Sequence, residues 1–174
     1  MAIYPLFTDN FQAGSAGQWT PAGGSWSLVT DGGAVYQQTN TSGLTSSYAG
    51  NTNWCNYSLE AAVKVLSGAT ATVSFRYLDL NNCYVIELSP GSPGTIVLKK
   101  KVAGLSTTLQ AISYPMNVGL QYTVDVTAEG PLLNVYINGA LELFAIDSSI
   151  TSGRIALGTY NAAAEFDNII IGQQ

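Results

Sequence analysis

Apolar and polar residues alternate with a period of two along most of the chain, the signature of half-buried strands rather than of surface helices. Tyr57, Leu59, Ala61, Val63 and Val65 fall on one face of a run whose other face carries Ser58, Glu60, Ala62 and Lys64. Val73, Phe75 and Tyr77 then oppose Ser74 and Arg76, and Tyr84, Ile86 and Leu88 oppose Cys83, Val85 and Glu87. Ile96, Leu98, Lys100 and Val102 oppose Val97, Lys99 and Lys101. Tyr122, Val124 and Val126 oppose Thr123, Asp125 and Thr127, and Leu133, Val135 and Ile137 oppose Asn134 and Tyr136.

Turn chemistry separates these runs: Ser67-Gly68, Asn81-Asn82, Pro90 to Gly94, Gly104, Glu129-Gly130-Pro131 and Ser152-Gly153. Asn138-Gly139 between two strand patterns is the strongest hairpin signal, because both residues tolerate positive φ. Residues 12–25 and 39–54 read as surface loops rich in Gly, Ser, Thr and Asn. Roughly a dozen strands joined by short turns, with no helix of convincing length, predict an all-β, two-sheet antiparallel sandwich. The chain has 174 residues, which suits one domain over 1–174.

Composition narrows the function. Charged residues make up 10% of the chain and the net charge is -5, which disfavours nucleic acid as a partner. No apolar stretch reaches the length of a membrane-spanning helix. The start, Met1-Ala2-Ile3-Tyr4, lacks the regions of a signal peptide, which reads either as a cytoplasmic chain or, the preferred reading, as a module excised from a longer, secreted protein. The chain holds no histidine, which removes the commonest general base and transition-metal ligand. Its two cysteines, Cys55 and Cys83, are too few for a disulfide framework; they read as free, partly buried thiols.

Several residues together carry a family resemblance. They are Thr8-Asp9-Asn10-Phe11, Trp19 and Gly24-Ser25-Trp26 at the start, then Trp54, Tyr57, Leu59-Glu60, Phe75-Arg76-Tyr77, Asp79, Asn81, Asn82 and Tyr84. Val135 to Gly139, Ser152 to Asn161 and Glu165-Phe166-Asp167-Asn168-Ile169 complete the pattern. The chain resembles concanavalin A-like (laminin-G-like) jelly rolls, and among them bacterial carbohydrate-binding modules of the levan-binding type. The resemblance implies secretion, a lectin-like concave sheet face for saccharides and often a structural calcium ion (Ca2+). For calcium, Asp9 in the first strand and Asp167 in the last would supply the carboxylates, with Asn10 and loop carbonyls near Gly24 or Asp31 completing the shell.

If neighbouring strands pair in sequence order, Glu60, Lys64, Arg76, Glu87, Lys99 and Asp125 gather on one outer sheet face. A sugar offers polar edges and apolar C–H faces, so such a site needs donors, acceptors and aromatic rings. Arg76 and Lys99 would donate, Glu60 and Glu87 accept, and Tyr84, Tyr136 or Tyr160 stack. A cross-strand ladder of ion pairs that only supports the sheet would use the same charges. Trp26 and Trp54 are expected to pack rather than bind.

Catalysis is not expected. Glycosidases of related fold place paired carboxylates on one strand, as in Glu-x-Asp-x-x-Glu, and this chain has no such run. Glu60 and Glu87 could face each other, but Arg76 is expected between them, holding both ionised. The sequence therefore points to a non-catalytic carbohydrate-binding module that holds a tethered catalytic domain on a polysaccharide or oligosaccharide. A structural or adhesive sandwich without a sugar site is the alternative, and a glycan hydrolase or lyase a third.

Overall fold

The structure is a computed structural model that describes residues 5–174. The opening Met1 to Tyr4, read above for leader character, lies outside the described residues. Thirteen strands and no helix make up the described residues. In chain order they are β1 (Pro5–Asp9), β2 (Thr20–Pro21), β3 (Trp26–Thr30), β4 (Ala34–Gln38), β5 (Leu44–Ala49), β6 (Tyr57–Asp79), β7 (Asn82–Ser89), β8 (Gly91–Val102), β9 (Leu105–Met116), β10 (Gln121–Glu129), β11 (Leu132–Ile137), β12 (Ala140–Ile146) and β13 (Arg154–Gln173).

Two strands, β6 with 23 residues and β13 with 20, are the spine of the fold. They pair antiparallel along their length and pass from one layer of the sandwich into the other. Their first and last portions, residues 57–67 and 162–173, centre a back layer in the order β12-β11-β10-β6-β13-β4-β3, with β1 also on β13. Residues 69–79 and 154–160 centre a front layer in the order β9-β8-β7-β6-β13-β5-β2. Ser67-Gly68 is thus not the turn its chemistry suggests. Gly68 sits at φ +87 opposite Ala162, beside Asn161 at φ +48, and both long strands bend there without ending. A side chain at Gly68 would place its Cβ 2.1 Å from the Asn161 carbonyl oxygen, so only glycine allows the crossing.

The predicted inward faces meet between the layers. Tyr57, Leu59, Ala61 and Val63 of the back layer share one core with Val73, Phe75, Tyr84, Ile86, Leu88, Ile96 and Leu98 of the front layer. Truncating a fully buried leucine such as Leu59 or Leu98 would cost about 2–5 kcal/mol. Trp26 stacks on Tyr36 at 4.7 Å, and Trp54 packs near Tyr57 and Phe7, at 6.1 Å and 6.3 Å between ring centres, as expected of packing tryptophans. Cys55 and Cys83 are free thiols, Cys55 exposed and Cys83 buried.

One alternation fails. The register of β6 shifts between Phe75 and Asp79 against β7, and Arg76 stands at φ +44. This bulge adds a residue to one strand and reverses the facing of the residues beyond it. Arg76, expected outside, turns into the interior at 1% exposure, and Tyr77, expected inside, turns to the outer face of the front layer.

Candidate functional site

The outer face of the front layer dips into a hollow of about 480 Å³. Its floor follows from the register. Thr72 of β6 stands between Gly158 of β13 and Glu87 of β7. In the next row Ser74 pairs with Val85, which pairs with Lys99 of β8. Glu87 and Lys99 are therefore diagonal neighbours, and their side chains form an ion pair at 2.7 Å. Thr70, Thr72, Ser74 and Ser46 are nearly buried, so the floor offers hydroxyls on a surface too tight for larger groups. At one end Tyr160, 52% exposed, stands opposite Leu44 of β5 and beside Thr70. At the other end lie Tyr77, Leu80 and Cys83, with Lys101 directly across from Cys83.

Burial sets the titration of two of these groups. It pushes the Tyr77 phenol above its usual value. It raises the Cys83 thiol to about 11, against the pull of the nearby Lys101 charge. Neither offers an anionic nucleophile or base at neutral pH.

Of the seven predicted sugar-site residues, the structure brings together Glu87, Lys99 and Tyr160. The other four lie elsewhere. Glu60 and Tyr136 do so because strands do not pair in sequence order, β10 lying on the first portion of β6 and β7 on the second. Arg76 does so because of the bulge, and Tyr84 because it is on the apolar side of its run with Ile86 and Leu88. Glu60 is on the outer face of the back layer, opposite Asp125, which is opposite Tyr136. Lys64 shares that layer, paired with Glu165 at 3.3 Å and with Asp31. Tyr84 lies wholly in the core, its hydroxyl donating to the Asp147 carboxylate at 2.6 Å. Arg76 is interior, where it donates to the carbonyls of Cys55, Ile150 and Gly130. It does not lie between Glu60 and Glu87, which are on opposite layers. The expected single charged face is thus two half-faces plus one interior cation. Lys100 takes the inward side that the alternation assigns it, across from Tyr84, and snorkels to the Asp147 carboxylate and the Ser149 hydroxyl.

Sequence reading missed Thr72, Tyr77, Cys83 and Lys101 as lining residues. The small hydroxyls Thr70, Thr72 and Ser74 at every second position of β6 were the available signal. For Tyr77 the bulge erased it.

Asp9 and Asp167 were the expected calcium ligands. Asp9 is buried and gives both carboxylate oxygens to N–H donors, the Phe11 amide at 2.8 Å and the Trp19 indole at 3.0 Å. Asp167 accepts from the Asn168 amide at 2.7 Å, and burial followed by the Asp9 charge raises its pKa. Among the described residues no three Asp, Glu, His or Cys side chains converge. Each Asp9 oxygen thus already has one donor, and a calcium ion, which takes roughly six to eight oxygens, would need most of its shell from backbone carbonyls and water.

Comparison with known proteins places the hollow in context. The chain is 31% identical over 137 residues to an extracellular exo-alpha-L-arabinofuranosidase of Streptomyces chartreusis, a match covering 77% of this chain and 16% of that protein. The chain therefore spans about a sixth of that relative's length. Among solved structures, the carbohydrate-binding module CBM66 from Bacillus subtilis superposes with a TM-score of 0.79 at 21% identity, covering 90% of this chain and 96% of that one. A Bacillus subtilis protein of unknown function with a galectin-like fold gives 0.72 at 12% identity, covering 97% and 96%. These likenesses establish the fold as the concanavalin A-like jelly roll that the residues suggested. Residues 6–172 match the model of one family over nearly the whole chain, and the protein belongs to it: the 3-keto-alpha-glucoside-1,2-lyase-like domain family.

Proposed function

We propose that the front-layer hollow binds saccharide, and that the domain is a non-catalytic binding module of a larger extracellular glycan-degrading protein. The observation that carries this is the hollow itself. It sets a charged donor–acceptor pair, Glu87 and Lys99, on a floor of threonine and serine hydroxyls, beside an exposed tyrosine ring. The pair can bridge adjacent sugar hydroxyls, and the Tyr160 ring can cover a C–H face. The similarity to a module named for carbohydrate binding and to a much longer extracellular arabinofuranosidase supports the larger context.

A catalytic reading draws on the family description, which names a lyase. Against it, the hollow holds a single carboxylate, Glu87, where glycoside hydrolysis uses two. Burial pushes the Tyr77 phenol and the Cys83 thiol up, so neither is an anion at neutral pH, and the chain has no histidine to serve as base.

Affinity electrophoresis and calorimetry on a panel of plant and bacterial polysaccharides test the proposal. At least one glycan should retard the protein, and Glu87→Ala or Tyr160→Ala should weaken that binding roughly tenfold or more without changing Tm by more than a few degrees. No retention on any glycan, or binding indifferent to both substitutions, overturns the reading. Product release from any glycan by the pure domain overturns its non-catalytic half.

A further inference from the structure

The cations of this chain are almost all engaged. Lys64 pairs with Asp31 and Glu165, Lys99 with Glu87 and Lys100 with Asp147. Arg76 is spent on backbone carbonyls. Arg154 donates to the Leu78 carbonyl at 2.7 Å, and its guanidinium lies 4.1 Å from the centre of the Tyr48 ring. Lys101 is different. Among the described residues it makes no ion pair and no side-chain hydrogen bond, and it lines the hollow.

Its position puts that cation at one end of the hollow. Lys101 stands in register with the buried Cys83, at the end of the hollow closed by Tyr77 and Leu80. Asp79 lies at the same end, its carboxylate accepting from the Asn81 amide at 2.7 Å and the Asn82 side-chain amide at 3.1 Å. Its negative charge is offset by the positive charge of Arg154, both of which reach Tyr77. The lining thus carries two lysines and one glutamate, a local excess of positive charge on a chain whose net charge is -5. The Debye length at physiological ionic strength is about 8 Å, so acids elsewhere on the surface do little to cancel that excess.

We propose that the hollow selects an acidic saccharide, with the Lys101 ammonium as the contact for its carboxylate or sulfate. The Glu87–Lys99 pair then reads neighbouring hydroxyls, and the net charge of the lining matches one anionic substituent. An ammonium bound to an anion in a partly enclosed site makes a charge-assisted hydrogen bond, stronger than a neutral one. This rests on the saccharide reading of the same hollow.

Matched ligands separate the two claims. Calorimetry would compare an oligogalacturonide with its methyl ester, and a sulfated galactan oligosaccharide with its desulfated form. The protein should prefer one acidic member over its neutral partner roughly tenfold. That preference should shrink as salt is raised, vanish in Lys101→Gln and persist in Lys64→Gln, which alters a cation on the opposite layer. The carboxylate pair and the sulfate pair identify which anion is read. Equal binding of acidic and neutral members in both pairs, or a preference that survives Lys101→Gln, overturns this inference alone. Failure to bind these four ligands and every glycan of the wider panel overturns the saccharide reading with it.

Discussion

The guanidinium of Arg76 grips the carbonyl of Cys55 with two N–H groups, Nε at 3.2 Å and Nη2 at 3.0 Å. Two further N–H groups reach Ile150 at 3.1 Å and Gly130 at 2.9 Å, so one interior side chain ties three loop segments to β6. The Arg76 amide in turn donates to the Tyr57 hydroxyl at 2.6 Å. Opposite it, Gly153 comes so close that a Cβ there would lie 2.3 Å from the Arg76 carbonyl carbon.

Replacing Arg76 with methionine should therefore lower stability by roughly 3–5 kcal/mol, because it strands buried carbonyls without partners. Chemical denaturation measures it. A loss below about 1 kcal/mol would mean that water replaces the guanidinium without cost. Gly153→Ala should be similarly damaging, through the clash with the Arg76 backbone.

Asp125 faces Glu60 across β10 and β6 on the outer face of the back layer. Burial, and then the Glu60 charge, raise the Asp125 pKa above its ordinary 3.8. A carboxyl with a raised native pKa burdens the fold above that pKa and is neutral to it below the unfolded value. Asp125→Asn should raise Tm by about 1–2 °C at pH 7, and the gain should disappear below pH 3.8. Thermal melts across pH 3 to 8 would show the two curves meeting at the acid end.

Asp147 carries the opposite sign. Burial works against its charge, but hydrogen bonds from Lys100, Tyr84 and Ser149 outweigh burial and hold the carboxyl well below its ordinary 3.8. Such a group stabilises the native state fully above the unfolded pKa, and the contribution is lost as pH falls through the native one. Asp147→Asn should lower the urea midpoint at pH 7, with the difference from the parent shrinking only below pH 3.8. A difference constant with pH would assign the loss to packing rather than to charge.

Calcium makes a separate test. Because Asp9 commits both oxygens to Phe11 and Trp19, removing divalent ions with a chelator should leave Tm within about 1 °C. Asp9→Ala should cost about 1–3 kcal/mol through the stranded Trp19 indole and Phe11 amide, with or without the ion. A rise of several degrees on adding calcium, lost in Asp167→Asn, would place the ion at this pair after all.

The sandwich was legible from period and turns because alternation reports directly which face of a strand meets the core. Tyr57 to Val65 and Tyr84 to Leu88 fall as that rule dictates. Two things were hidden. A bulge leaves no mark on hydrophobic period, so Arg76 and Tyr77 were assigned to each other's faces. Pairing order is not local either: Glu60 and Glu87 sit on similar alternating strands, and only the crossing of β6 between layers separates them. Glu87 and Lys99 were readable as site residues because each falls on the polar side of its alternating run, whereas Lys101 had looked like one member of a charged run.

The crossing spine also governs when this chain can fold. β6 and β13 are centre strands of both layers, yet 74 residues, from Leu80 to Gly153, separate them in sequence. Neither layer has its middle until residues 154–173 have left the ribosome and found β6. Assembly must be late, non-local and slow, as high contact order dictates, and before it is complete both layers expose unpaired strand edges. A chaperone that shields such edges during synthesis would have most to do while β7 to β12 wait for the last strand.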